Sequence, residues 1–462
     1  MIRKKHFLRL IVSVLTTYLI NSPFIFATPS SISLEQVTKD VTYLASDDLK
    51  GRGNFSSELS HAANYIAKRF KESGLIGADG IAAQGFLQTY QVTKISPKKL
   101  SLVLNGQTLS SEDLTIASTV GSVSWQIANG VKTSKFNVHG IGIGKGKDDD
   151  IRAVLGNINK QGGNHLVLVN PAHKELFKRY QHFFKQGLTK LGQEERNKTQ
   201  GGTIVMALTS TTIEEIKNVN VTSKNAISTS ELTNVIAILP GKTKSNEVVL
   251  YSAHYDHLGM KNTEEDNIFN GADDDASGTA AIINIAQYYA KQGNNDRTLM
   301  FAAFSAEEIG GFGSQYFSKQ LDPKKITAMI NIEMIGKPSK FGAGTLWMTG
   351  MERSDLGEQL NLALAKSGKK IHKDPYLEQG LFYRSDNATL AKLGVPAHSF
   401  SSTQLDKDEH YHQVSDDLSS LDLPSLHKVI ETLAIATQPL VNGTITPSRI
   451  DVKKIADKGL IY

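Results

Sequence analysis

The 462-residue chain has no cysteine, so it uses neither disulfides nor thiolate chemistry. It has only two tryptophans and 12 prolines, and no stretch of low complexity or internal repeat. It also lacks a sustained charge imbalance. The formal charge is +5, but Arg3, Lys4, Lys5 and Arg9 lie in the first 27 residues with no acid beside them, which leaves +1 for the rest. A near-neutral chain without a basic stripe argues against a nucleic-acid partner or a membrane-binding patch. The one pronounced apolar run is at the start, "MIRKKHFLRLIVSVLTTYLINSPFIFATPSS", which is basic, then apolar, then small-residue. Pro23 interrupts it and it is short for a membrane span. It reads as a secretory signal peptide cut after Ala27. The expectation is an exported protein, periplasmic or secreted, with no stable membrane anchor after cleavage.

What is present is an ordinary globular composition, 40% hydrophobic and 21% charged, long enough for a large core. Residues 32–78 carry apolar residues at helical spacing on both sides of "LKGRGN", predicting two helices joined by a loop. From 95 to 230 short β-like runs such as "LSLVLNG", "NHLVLVN" and "GGTIVMALTS" predict an inserted β-rich domain. After 233 apolar runs alternate with helical segments, including "EVVLYSAHYD", "DASGTAAIINIAQYYAKQG", "RTLMFAAFSAEE" and "ITAMINIEMIG". Strands buried on both faces and alternating with helices predict an α/β fold, three layers of helix/sheet/helix around a mostly parallel central sheet. The division expected is 1–27 signal peptide, 28–94 first part of the main domain, 95–230 insert, 231–440 main domain and 441–462 tail.

Three of those apolar runs end in side chains able to bind metal: His254 with Asp256, Glu307 with Glu308, and Glu333. In open α/β sheets ligands bind beyond the carboxyl ends of the strands. "NGADDDASG" adds Asp273, Asp274 and Asp275 before a helix, and "HYHQVSDD" adds His410 and His412. Each has an ordinary alternative: acids favour helix starts, loop histidines are usually solvated, and Glu307 and Glu308 can form an exposed pair. Their joint position at strand ends of one predicted sheet favours a metal site. Histidine and carboxylate donors suit zinc, with manganese or cobalt as alternatives. This many donors exceeds what one ion needs unless one carboxylate bridges two ions. One glutamate of the pair would then bind metal while its neighbour stays free as a general base.

In order, "AHYDHLG", "NGADDDASGTA", "FAAFSAEEIGGFGS", "NIEMIG" and "HYHQVSDD" resemble the co-catalytic dizinc aminopeptidases of metallopeptidase family twenty-eight, of zinc peptidase-like fold. "LASDDLKGRG…AANYIAKRFKESGL" resembles the opening of that family, so the resemblance covers roughly 34–92 and 233–440. It implies two zinc ions per chain and an exopeptidase that removes N-terminal residues from peptides with a free N-terminus. The implied metal ligands are His254, Asp273 as the bridging carboxylate, Glu308, Glu333 and His412. Glu307 is implied as the general base acting on a metal-bridged hydroxide, Asp256 as the group orienting His254, and Tyr411 as a stabiliser of the oxyanion. Two residues depart from the family pattern: Glu333 stands where aspartate is usual, and Asn387 where histidine is common. The insert takes the place of a protease-associated domain, with a poor sequence match.

Three rivals share the fold. A glutaminyl cyclase would hold one ion. A carboxypeptidase would need arginine in the pocket, for which Arg384 is the visible candidate. A binding homologue without metal would have lost the donor residues, which are present here.

Overall fold

The computed structural model describes residues 31–81, 83–144, 146–192, 201–261, 266–455 and 461–462. The expected signal peptide lies outside the described residues. Among those described, no helix is long and apolar enough to cross a membrane.

The chain is α/β, built on one large sheet with strands in the order Ile371–Lys373, Leu346–Met348, Ala397–Ser401, Ile326–Ile332, Lys244–His254, Arg297–Phe304 and Val219–Leu239. The pairings from Ala397–Ser401 through Arg297–Phe304 are all parallel. Alternation explains why these strands carry apolar residues at consecutive positions. In Arg297–Phe304, Leu299, Phe301 and Ala303 enter one core, and Met300, Ala302 and Phe304 enter the core on the opposite face. The first core is closed by the helices Leu34–Leu44, Ser57–Glu72, Gly278–Gln292, Leu356–Leu364 and Leu423–Val441. The second is closed by the shorter helices Phe312–Lys319 and Asn387–Ala391. This is the three-layer arrangement expected of strands with no solvent-facing side. It also brings the carboxyl ends of Lys244–His254, Arg297–Phe304 and Ile326–Ile332 to one edge.

The segment between the two parts of the main sheet is less purely β than the sequence suggested. Its four-stranded sheet, in the order Leu114–Ser118, Gly202–Leu208, Gly163–Val169 and Asn137–Ile141, packs against helices Ile151–Gln161 and Lys174–Lys185. Those helices present sparse apolar stripes, Ile151/Leu155/Ile158 and Phe177/Phe184, which are easily lost among the polar residues around them. The expected boundaries at 95 and 230 fall inside strands. Leu87–Leu104 and Val219–Leu239 pair antiparallel from Val235↔Leu87 to Val219↔Leu104, and the second strand continues into the main sheet beside Arg297–Phe304. The insert is thus carried on a two-stranded ribbon that is itself an extension of the main sheet. In the tail, Ile450 is buried in the second core, and Ile461 and Tyr462 dock on the insert, where Asn159 bonds their backbone.

Candidate metal centre

The strand Lys244–His254 ends at a fully buried His254. Its Nδ1–H donates to the backbone carbonyl of Asp256, 3.1 Å away, while the Asp256 carboxylate is 3.8 Å off. Asp256 therefore orients the ring through its main chain, and its side chain does a different job. That carboxylate accepts from Asn54 Nδ2 (2.7 Å) and from the backbone N–H groups of Glu307 (3.1 Å) and Glu308 (3.3 Å). It pins the turn that follows Arg297–Phe304. Gly310 (φ 128°) and Gly311 (φ 69°) close that turn by bonding back to Glu307 and Ala306, in backbone conformations that side chains rarely tolerate. The two glutamates can consequently point into the same cleft from adjacent positions.

The three consecutive aspartates have three separate roles. Asp275 accepts from the backbone N–H groups of Gly278 (3.0 Å), Met334 (3.1 Å) and His254 (3.3 Å), which ties three segments of the site together. Asp273 faces away from the cleft: it accepts from Gly336 N (2.7 Å) and Thr403 Oγ1 (2.5 Å), with Lys337 Nζ at 3.6 Å. Asp274 is the one that faces the histidines. Its Oδ1 is 3.1 Å from His254 Nε2 and its Oδ2 is 3.2 Å from His412 Nε2. The place facing the histidines, expected for Asp273, is therefore taken by Asp274. The backbone explains the shift by one residue: Asp416 accepts from the N–H groups of both Asp273 and Asp274, and the non-helical conformations of Asp274 and Asp275 aim the three side chains in different directions.

Two donor groups result. His254, Asp274 and Glu333 form one, and His257, Asp274 and Glu308 form the other, with Asp274 common to both. His412 joins the second, its Nε2 lying 3.2 Å from Glu308 Oε2. Glu333 thus reaches the cluster despite its extra methylene. Glu307 belongs to neither group but lines the same cleft. Tyr411 also lines it, stacked on His412 with ring centroids 4.0 Å apart, and its hydroxyl takes a 3.4 Å contact from Arg384.

These donors fit zinc. Two ligands bound at about 2.0–2.1 Å to one tetrahedral ion lie about 3.3 Å apart, close to the 3.1–3.2 Å spacings of the histidine and carboxylate atoms. His254 Nε2 is buried with no hydrogen-bond partner, facing a carboxylate oxygen that is itself only an acceptor when ionised. A cation between the two satisfies both. The charge balance points the same way. Burial, reinforced by Glu333, Asp386 and Glu308, pushes Glu307 well above the usual carboxylate range, and burial with Asp274 raises Glu333 to about 7. Burial disfavours a charged His412, yet its contacts with Asp274 and Glu308 raise it to about 10.

Sequence reasoning passed over several residues that build this site. Arg52, fully buried, donates to the carbonyls of Tyr255 (2.8 Å), Asn270 (2.5 Å), Gly271 (2.9 Å) and Leu44, joining the histidine strand to the aspartate loop. Asn54 and Asp416 hold the backbone or side chains of other site residues, and His257 stands directly beside the recognised Asp256. The signals were the "GRGN" loop and the second histidine of "HYDH". Met334, Trp347, Leu381 and Leu405 are the apolar residues that line the cleft.

A model of peptidase family M28 matches residues 234–437. Leucine aminopeptidase 1 of Ajellomyces dermatitidis is 32% identical over 198 residues, 41% of this chain and 51% of that protein. The vacuolar membrane protease of Schizosaccharomyces pombe is 26% identical over 228 residues, 48% of this chain and 25% of that protein. The chain thus spans about half the length of the leucine aminopeptidases it matches. Among solved structures, a zinc aminopeptidase from Bacillus subtilis superposes with a TM-score of 0.53 at 15% identity, covering 93% of this chain and 98% of that one. The aminopeptidase from Aneurinibacillus sp. strain AM-1 gives 0.51 at 18% identity, covering 92% and 96%. At such identities the likeness is one of fold.

Proposed function

We propose that this chain is a zinc-dependent aminopeptidase of peptidase family M28, whose model matches residues 234–437, and that it hydrolyses the first peptide bond of peptides that carry a free N-terminus. The observation that carries this reading is Asp274 standing between His254 and Glu333 on one side and Glu308 and His412 on the other, with a free acid, Glu307, beside them in the same cleft. His254, Asp274 and Glu333 would hold one ion, and Asp274, Glu308 and His412 the other. Bound zinc supplies Lewis acidity, polarising a carbonyl and making water acidic enough to serve as a nucleophile near neutral pH.

The chain's own residues supply the rest. Glu307, which lines the cleft beside the donor groups without belonging to either, would accept a proton from the attacking water and return it to the departing amine. Asp256 fixes the backbone of Glu307 and Glu308 so that the base keeps its place through the proton transfers. Tyr411 and Arg384 lie at the mouth of the cleft, where the tyrosine hydroxyl can donate to the developing oxyanion. Met334, Trp347, Leu381 and Leu405 offer an apolar wall to the first side chain of the substrate. A carboxypeptidase would need arginines to hold the substrate's carboxylate, and among the described residues lining the cleft Arg384 is the single arginine, which favours the aminopeptidase. The basic-then-apolar first 27 residues support export to the periplasm or the medium.

The test uses purified protein stripped of metal and then reloaded with zinc. Aminoacyl-p-nitroanilides should be hydrolysed, their N-acetylated forms should not, and metal analysis should find two ions per chain. Activity on blocked substrates, or activity indifferent to a chelator, would refute the reading. Cyclisation of N-terminal glutamine with one ion bound would replace it with the cyclase.

A further inference from the structure

We propose that His257 is a positioning residue for the second ion, holding Glu308 in its metal-binding orientation without binding the metal itself. This rests on the two-ion reading above. His257 is fully buried, and its Nδ1 lies 2.7 Å from Glu308 Oε1. An ionised carboxylate only accepts, so Nδ1 carries the proton and donates it. The distance separates this contact from the others. Histidine and carboxylate atoms that share an ion stand about 3.3 Å apart, as the 3.2 Å from His412 Nε2 to Glu308 Oε2 and to Asp274 Oδ2 does. At 2.7 Å the His257 contact is a hydrogen bond, and its Nδ1 is 3.9 Å from Asp274 Oδ2, too far for two ligands of one zinc.

The two oxygens of Glu308 are thereby assigned. Oε1 is held by His257, and Oε2 is left to the ion. The ring itself is held against the main chain: a Cβ on Gly271 would come within 2.6 Å of His257 Cγ and Cδ2. Gly271 (φ 57°) opens the aspartate loop, so the loop that delivers Asp274 also packs against the imidazole that orients Glu308. Partners that orient a ligand in this way usually contribute about 10–100-fold in metal affinity.

The experiment compares zinc affinity, by chelator competition, and the mean number of imidazoles per zinc, by X-ray absorption, in wild type, His257→Leu, His257→Asn and His412→Ala. Metal-free thermal unfolding checks that each variant is folded. Asparagine places an N–H close to the position of Nδ1, so a hydrogen bond can be rescued and a ligand bond cannot. Expected are a 10–100-fold weaker second ion in His257→Leu, recovery to within a few-fold in His257→Asn, and an imidazole count unchanged in His257→Asn. Loss of an imidazole in both His257 variants would make His257 a ligand and overturn the proposal. Wild-type affinity in His257→Leu, with His412→Ala losing one ion, would overturn it while leaving the two-ion reading intact. A wild-type protein binding fewer than two ions would remove both.

Discussion

The insert and the main domain bury different kinds of residue. Between 95 and 230 the buried polar side chains among the described residues include no carboxylate, lysine or arginine, only groups such as Thr115, Thr203, Gln181, Asn225 and His165. The main domain buries Asp256, Asp273, Asp274, Asp275, Asp386 and Asp416, together with His254 and His257, around one end of its sheet. Both regions have well-filled apolar cores. Folding alone therefore does not require the acids. Moving a carboxylate out of water costs several kcal/mol unless a cation or hydrogen bonds compensate. Asp275, Asp256 and Asp273 have their compensation in backbone N–H groups. Asp274 has two histidines instead, and those imidazole nitrogens need a cation or a proton in turn. Among the aspartates at that end of the sheet, those compensated by backbone N–H groups are structural, and the one compensated by histidines marks the site.

The sharpest way to break this comparison is at the acid with no structural partner. Glu307→Gln keeps the shape of the turn, so zinc content and thermal stability should stay near wild type. Peptide hydrolysis should fall by about 10²–10⁴-fold, the range for loss of a general base. Near-normal turnover by zinc-loaded Glu307→Gln, measured with an aminoacyl-anilide, would remove that role. Next in size are the neighbouring aspartates. Asp274→Asn should lose tight binding of both ions, because its carboxylate is common to the two donor groups. Asp273→Asn should keep both ions and turn over within a few-fold of wild type. Burial and Asp416 already push Asp273 up to about 7, so a neutral amide resembles a form it readily adopts. Equal loss of metal in the two variants, read by metal analysis, would erase the distinction drawn between adjacent acids.

How much of this was legible beforehand depends on what carried the information. The sheet was readable because the runs Leu299–Phe304 and Ala328–Ile330 are buried on both faces and hence apolar without interruption. The strand-end positions of His254, Glu307 and Glu333 followed from the same pattern. The orientation of "ADDDAS" did not, because three identical side chains carry no periodicity, and Asp416, more than a hundred residues away, decides where that backbone lies. Arg52 was hidden for a similar reason. Its partners are carbonyls of Leu44, Tyr255, Asn270 and Gly271, which have no signature in the sequence. The insert's helices were missed because their apolar stripes are only two or three residues long.

Smaller effects are expected where geometry is already close to sufficient. Glu333 reaches the first donor group from a backbone held by its N–H bond to Phe400 O at 3.0 Å. Glu333→Asp shortens that reach by one methylene against a strand end that is fixed in the sheet. The ion on the His254 side should weaken by up to about tenfold, with the Glu308 side unchanged. Tighter binding in Glu333→Asp, by chelator competition, would show that the glutamate fits less well than its spacing suggests.

The smallest effect on turnover is expected in the insert, at the histidine pair His139 and His165. His165 is buried, its Nε2–H donates to Gly162 O (2.9 Å), and its Nδ1 accepts from His139 Nε2 (2.9 Å). With both nitrogens satisfied by one carbonyl and one neutral ring, the pair needs no ion, unlike His254 and His412. Burial accordingly lowers His139 below its ordinary value, where the histidines of the cleft are raised. His165→Leu removes the acceptor and leaves a donor unpaired, at a cost of about 1–3 kcal/mol in stability. Turnover at saturating substrate and zinc content should both stay within twofold of wild type, since the ribbon Leu87–Leu104/Val219–Leu239 separates this pair from the cleft. A zinc-dependent rise in the melting temperature that disappears in His165→Leu would mean that the insert also holds metal. In that case neutral burial would no longer tell the two regions apart.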